Sequence, residues 1–199
     1  MNIFKSKVVV ACSAFIVLVV LGYVALNSDY FLKQVKFWFN KPQAATNQNT
    51  VEGEKGESNR IIIPSLGINA PIVESAENNE SAFQEALKKG VVHYPGTADV
   101  GQLGNPYLFG HSSDFALKGG DYKTVFALLP QIEKGAEVVV TNGEGQIFRY
   151  EVTDSFVAKS TDIHLLDQKD HKEKLLTIQT SYPIGTALKR WIVTAKLKE

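Results

Sequence analysis

Cysteine is almost missing from these 199 residues: Cys12 is the single one. One thiol rules out a disulfide framework within the chain, so any domain here must fold on its apolar core. Val9-Val10-Ala11-Cys12 has the outline of a lipoprotein cleavage box, but almost all of the apolar region follows the cysteine instead of preceding it. An excess of one charge sign is missing too, with 21 Lys+Arg against 21 Asp+Glu. The balance is uneven: residues 1–41 hold five lysines and one acid, Asp29, and the rest holds 16 basic and 20 acidic residues. A region of net negative charge has no basic excess with which to hold a phosphate backbone, which argues against nucleic-acid binding. No internal repeat is present, so a solenoid or propeller array is out. No G-x-S-x-G elbow is present either, which disfavours an α/β-hydrolase.

What is there begins with a basic head, Met1 to Lys7. Val8 to Leu26 is apolar except for Ser13, long enough to cross a bilayer as a helix with little slack. A cleaved signal peptide is the alternative, but its apolar region is ordinarily shorter, and no clear small-x-small site follows. Lys5 and Lys7 favour a cytoplasmic N-terminus, while Lys33 and Lys36 weaken the asymmetry. Tyr30 to Phe39 mixes aromatics with lysines and reads as an interfacial extension of the anchor. An amphipathic helix packed on the domain is the other reading of that stretch. Lys41 to Asn59, rich in Gln, Asn, Glu and Gly, reads as a linker. The expected divisions are a head at 1–7, a transmembrane helix at 8–26, a juxtamembrane segment and linker at 27–59, and a globular domain at 60–199.

Within that domain, Arg60-Ile61-Ile62-Ile63-Pro64 and Ala70-Pro71-Ile72-Val73 read as short strands around Leu66-Gly67. Ser81 to Lys89 predicts a helix, with Ser81 as cap, Gln84 completing a capping box and Gly90 stopping it. Tyr107 to Gly110 predicts a strand. Asp121 is placed to cap a short helix through Val125, Phe126 and Leu129, ended by Pro130. Glu137 to Thr141 and Gln146 to Val157 flank Asn142-Gly143, a hairpin signal. Lys159 to Lys174 is a long polar loop. Many short strands with few helices predict a closed barrel or a sandwich.

The last hairpin carries the chemistry. Leu176, Ile178 and Thr180 alternate with Leu175, Thr177, Gln179 and Ser181, the period-2 pattern of a half-buried strand. Tyr182-Pro183-Ile184-Gly185 has turn composition, and Trp191, Val193, Ala195 and Leu197 alternate through the return strand. A hydroxyl at Ser181 thus ends one strand and a guanidinium at Arg190 opens the next. Among four histidines, His111 has the best context, following a strand and a glycine in F-G-H-S-S. His93 reads as structural or supporting. His164 and His171 lie among Asp162, Asp167 and Asp170, residue types that bind metals, but their spacing fits no metal motif and a solvated loop is the better reading.

The run T-I-Q-T-S, Thr177 to Ser181, resembles the T-L-x-T-C signature of sortases, and Arg190 stands where several sortase classes carry their catalytic arginine. H-Y-P-G-T-A-D-V-G-Q-L-G-N-P-Y-L-F-G-H, His93 to His111, resembles the stretch that delivers the sortase histidine. The likeness runs from about Arg60 to Leu197 in the family's order, with one departure: Ser181 stands where the family has cysteine. The resemblance implies a mainly β fold, the sortase-type closed β-barrel with a few short helices, behind an N-terminal transmembrane helix. It implies a catalytic domain on the outer side of the membrane. There a nucleophile cleaves a C-terminal sorting motif of a secreted protein and passes the acyl group to an amine of a cell-wall precursor or a pilin. It implies catalytic roles for His111, Ser181 and Arg190, and substrate contact at Thr180. No metal or organic cofactor is needed, and no calcium site of the kind some sortases use is identifiable. No D-P-[WF] lid motif precedes the barrel and the chain ends two residues after its last strand, both counting against the lidded pilin-polymerising class.

Serine changes the chemistry. A thiol titrates near ~8.5 and attacks as thiolate, whereas a hydroxyl needs a base to take its proton as it attacks. Asp114, Asp154 and Asp162 are the candidates to orient His111 for that task. Ser181 is either an introduced trap or a natural variant with altered or lost activity. Two rival functions stand beside the transpeptidase: a non-catalytic module that holds sorting peptides, and a serine hydrolase using Ser181 and His111.

Overall fold

The computed structural model describes residues 2–39, 56–113, 120–168 and 172–198, with side chains from Val10 onward. Most of the expected linker, together with Asp114, Asp170 and His171, lies outside the described residues. Two helices, α1 (Asn2–Leu26) and α2 (Ser28–Phe39), precede eight strands: β1 (Arg60–Ile63), β2 (Ile68–Glu74), β3 (Val91–His93), β4 (Tyr107–Phe109), β5 (Glu137–Thr141), β6 (Ile147–Lys159), β7 (Leu175–Tyr182) and β8 (Lys189–Leu197). A third helix, α3 (Glu80–Leu87), lies between β2 and β3. The strands close into a barrel in the order β1-β2-β3-β4-β7-β8-β6-β5, and β5 pairs back onto β1.

Period-2 alternation decides which side chains fill it. Ile61, Ile63, Ala70, Val91, Leu108, Val138, Val140, Tyr150, Leu176, Ile178 and Val193 are all fully buried. Each large apolar side chain so buried contributes roughly 1.5–3 kcal/mol. Phe126, Leu129 and Ile132, from the segment before β5, pack into the same core. Tyr150 brings a polar tip into the core, and its hydroxyl accepts the Gly101 amide at 2.9 Å. Gly101 is required there: its φ is +82° and an added Cβ would lie 2.0 Å from the Phe148 ring.

Several local expectations shift. The cap of α3 is Asn79, whose side chain accepts the Ala82 amide at 3.0 Å, two residues before Ser81. Gln84 bonds Glu80 on the helix surface rather than closing a capping box. No α-helix forms at 121–130; turns there lead into a 3-10 turn at Leu129–Gln131, with Pro130 inside it. Proline fits because the first positions of such a turn need no N–H. The β5–β6 hairpin forms, but Asn142 bridges a longer loop, accepting the Glu144 and Gln146 amides, and Gly145 takes the positive φ. The 159–174 stretch contains a 3-10 turn, Ile163–Leu166. Gln168 then latches it: its Oε1 accepts the Ala98 and Asn105 amides, each at 3.1 Å, and its Nε2 donates to Asn105 O at 3.0 Å.

Among the described residues no single helix is long and apolar enough to cross a membrane; α1 from Val10 and α2 pass that test only as a pair, bent by 77°. α2 touches the barrel: Phe37 packs against the core and Lys33 Nζ donates to Thr124 O at 2.8 Å.

His93, at the end of β3, is 8% exposed. Its Nδ1 lies 3.0 Å from Glu74 Oε1, and its Nε2 lies 3.0 Å from both Ala98 O and Thr97 Oγ1. A neutral ring has one N–H and would leave a carboxylate or a carbonyl facing a lone pair; the imidazolium donates to both. Burial alone would lower the pKa, but the hydrogen bond and charge of Glu74, with Ala98 O and the charge of Asp99, outweigh it and hold it above the ordinary value. A raised folded pKa means the stabilisation is complete below the unfolded value of ~6.5 and is lost as pH rises through the folded value. In thermal melts across a pH series, the advantage of the parent over His93→Gln should shrink as pH climbs past ~6.5. An advantage that grows with pH would refute the charged latch.

Candidate active site

Two strand pairings build the site. β4 and β7 run parallel, with Tyr107, Leu108 and Phe109 opposite Thr177, Ile178 and Gln179. The pairing continues past β4, where the Gly110 amide donates to Gln179 O at 3.1 Å. The chain then enters His111 at the same level at which β7 reaches Ser181. Gly110 has no room for a side chain, since a Cβ would meet Phe126 Cδ2 at 2.8 Å and Val125 Cγ1 at 2.9 Å. The Phe126 amide donates to His111 O at 2.9 Å and fixes the backbone there. On the other side of β7, antiparallel β8 places Arg190 directly opposite Ser181.

His111, Ser181 and Arg190 therefore open onto one cleft of about 350 Å³. Its walls are Phe83 and Leu87 of α3, Tyr94, Phe109, and Ile163, Leu165 and Leu166 from the β6–β7 connection. Phe83 packs edge-on against Phe109, with ring centres 5.2 Å apart. The Arg190 guanidinium donates through Nη1 to Ala187 O at 2.8 Å and Lys189 O at 3.0 Å, turned onto the carbonyls of the β7–β8 turn. That turn is held to the histidine segment by Gly185 N donating to Ser113 Oγ at 2.9 Å.

Two residues of the cleft were not picked out from the sequence. Tyr107 is 4% exposed and its hydroxyl donates to Gln179 Oε1 at 2.6 Å. Burial raises the Tyr107 pKa far more than the nearby Arg190 charge lowers it, so the phenol stays protonated. Gln179 shares the face of Ser181 by simple alternation, the signal that could have marked it. Thr180, expected to touch substrate, takes the opposite face. It is 1% exposed and its hydroxyl donates to Gly110 O at 2.8 Å, joining the two segments that carry His111 and Ser181.

The carboxylates considered as partners for His111 lie as follows. Asp162 borders the cleft, but its Oδ2 accepts the Lys159 amide at 2.8 Å. Asp154 lies on β6 and accepts the Ser155 amide. His164 lies in the 3-10 turn, facing a separate hollow beside Asp167, Thr153 and Thr194. Among the described residues no group of three or more His, Cys, Asp or Glu side chains is gathered as a metal site would need.

The model of the sortase domain matches residues 61–198. The chain belongs to the sortase family. Among solved structures it is similar to sortase C-1 from Actinomyces oris, with 29% identity and a TM-score of 0.58 over 70% of this chain and 73% of that one. It is similar to a sortase E variant from Streptomyces avermitilis, with 30% identity and a TM-score of 0.55 over 73% and 91%. A sortase D transpeptidase from Clostridium perfringens shares the fold at 24% identity, with a TM-score of 0.58 over 88% and 99%. The search of curated proteins gave no match. The barrel is thus a sortase barrel, of a family of membrane-associated cell-surface transpeptidases.

Replacing the buried hydroxyl tests its structural role. Thr180→Val should leave Gly110 O without its donor and cost roughly 1–3 kcal/mol in denaturant unfolding. In an active background, turnover should fall through displacement of His111, with KM for peptide little changed. A weaker KM with undiminished stability would return Thr180 to the substrate.

Proposed function

We propose that this sortase cleaves a sorting motif near the C-terminus of secreted proteins and transfers the acyl group to a cell-wall or pilin amine, with its activity lost or impaired because Ser181 stands in place of cysteine. The observation that carries the reading is the convergence of His111, Ser181 and Arg190 on one cleft. In the reaction the side-chain nucleophile at 181 attacks the scissile carbonyl carbon. Arg190, released from Ala187 O and Lys189 O, donates to the oxygen that gains negative charge. His111 gives a proton to the departing amine as the C–N bond breaks. The acceptor amine then attacks the acyl-enzyme, loses a proton to His111, and expels the nucleophile. With a thiolate, attack needs no proton removal. With Ser181, the hydroxyl proton must move to His111 during attack, and that same proton then leaves with the amine.

Anchoring is read from the apolar part of α1: at ~1.5 Å per residue, Val8 to Leu26 extends about 28 Å, close to the ~30 Å of hydrocarbon. The side chains of Phe15 to Leu21 are 54–68% exposed, as expected of a span with lipid around it. The reading is one pass with the barrel on the outer side.

Ser181→Cys should create or greatly raise cleavage and transfer, measured by mass spectrometry on a panel of sorting peptides with an added amine. The gain should vanish in Ser181→Cys, His111→Ala. A Cys variant as silent as its parent across the panel would favour the non-catalytic peptide-holding module. A parent as fast as its Cys variant would make the site a true serine enzyme.

In the Cys background, Arg190→Ala should lose at least ~10²-fold in turnover, the scale of a lost oxyanion donor. Arg190→Lys should recover only part, since the planar fork is gone. Unchanged kinetics in Arg190→Ala would remove the guanidinium from the mechanism.

A further inference from the structure

α2 carries two unlike faces. Toward the barrel it turns Tyr30, Lys33, Gln34 and Phe37, with Phe37 against the core and Lys33 Nζ on Thr124 O. On the opposite side, at successive helical turns, stand Leu32, Val35 and Phe39, flanked by Trp38. They are 57%, 52%, 84% and 78% exposed. A helix that packs one face and leaves a second apolar stripe in the open requires an occupant for that stripe.

We propose that the second face of α2 lies in the interfacial layer of the bilayer, so that the helix is a wedge held between membrane and barrel. The inference rests on the reading of α1 as inserted. Three observations then select lipid. A single residue, Asn27, separates α1 from α2, so the exposed stripe continues the exposed apolar surface of α1. The two axes are bent by 77°; with α1 near the membrane normal, α2 runs close to the membrane plane. Trp38 stands among the apolar side chains, and an indole favours the headgroup boundary. Two contacts extend the wedge to the site. Tyr23 Oη, near the end of α1, donates to Ile184 O at 3.4 Å, and Gly185 lies against Asn27 and Tyr23. The β7–β8 turn, which connects Ser181 to Arg190, therefore sits at the membrane surface. The cleft is carried at a fixed height and tilt above the bilayer.

The test uses the full chain with Trp191→Phe, which leaves Trp38 as its only tryptophan, in vesicles of phosphatidylcholine with a minority of phosphatidylglycerol. Flotation after alkaline carbonate reports whether α1 is inserted. Quenching of Trp38 by lipids brominated at different acyl depths, and by aqueous iodide, reports where α2 lies. The expected result is flotation, strongest quenching by the shallowest bromines, and weak quenching by iodide. Leu32→Glu with Val35→Glu should raise iodide quenching several-fold without loss of flotation. Flotation with strong iodide quenching overturns the wedge and leaves the anchor standing. Flotation with quenching by neither probe assigns the stripe to a protein contact, such as a second copy, and also overturns it. Failure to float overturns both readings.

Discussion

The parallel pairing of β4 with β7 is the constraint on which the site depends. It brings together segments 70 residues apart, and the Thr180 hydroxyl on Gly110 O secures the last step of the register. Parallel strands need a long crossover between them, and here that crossover supplies the end of the barrel and the hairpin that closes it. A slip of one residue would put Thr180 at the cleft and Ser181 in the core. Burial of Leu176, Ile178 and Thr180 on one face opposes that slip, so the packing of the barrel and the position of Ser181 are one requirement.

Around that pairing the cleft mixes apolar and polar lining, and two of its polar groups are engaged with partners in the barrel. Tyr107 is bonded to Gln179, and Arg190 to the carbonyls of its own turn. In the proposed reaction a substrate carbonyl competes with Ala187 O and Lys189 O for the guanidinium. The competition is between like partners, so exchanging them costs little desolvation. Developing negative charge then tips the balance toward the substrate, because an oxyanion adds a Coulombic attraction to the guanidinium that a neutral carbonyl lacks. The same arrangement suits a thiolate better than a hydroxyl, which must also find a base.

Alternation made β7 and β8 legible, with Ser181 and Arg190 at facing ends, because period-2 patterning survives wherever one face is buried. The T-x-x-T motif and F-G-H tied the hairpin to a family and therefore to a barrel. What was not legible depended on partners distant in sequence. β3 is three residues long, too short for a period to show, and it exists because β2 and β4 flank it. Asn79, as good a cap as Ser81 by local preference, takes the position two residues earlier. Thr180 was read through its neighbour in the motif, although its own alternation already placed it inward. The two faces of α2 correspond to the two readings of Tyr30 to Phe39, and its composition satisfies both.

The latch at Gln168 has a consequence for how the cleft can vary. One amide side chain holds the backbone of Ala98, Asn105 and Leu166 together, so the β6–β7 connection and the loop before β4 are fastened to each other. For anyone exchanging that connection to change peptide preference, the graft has a natural boundary. Residues 160–166 can be rewritten for shape, whereas a graft that discards Gln168 also unfastens the segment leading to His111, and a change meant for selectivity becomes a change in preorganisation.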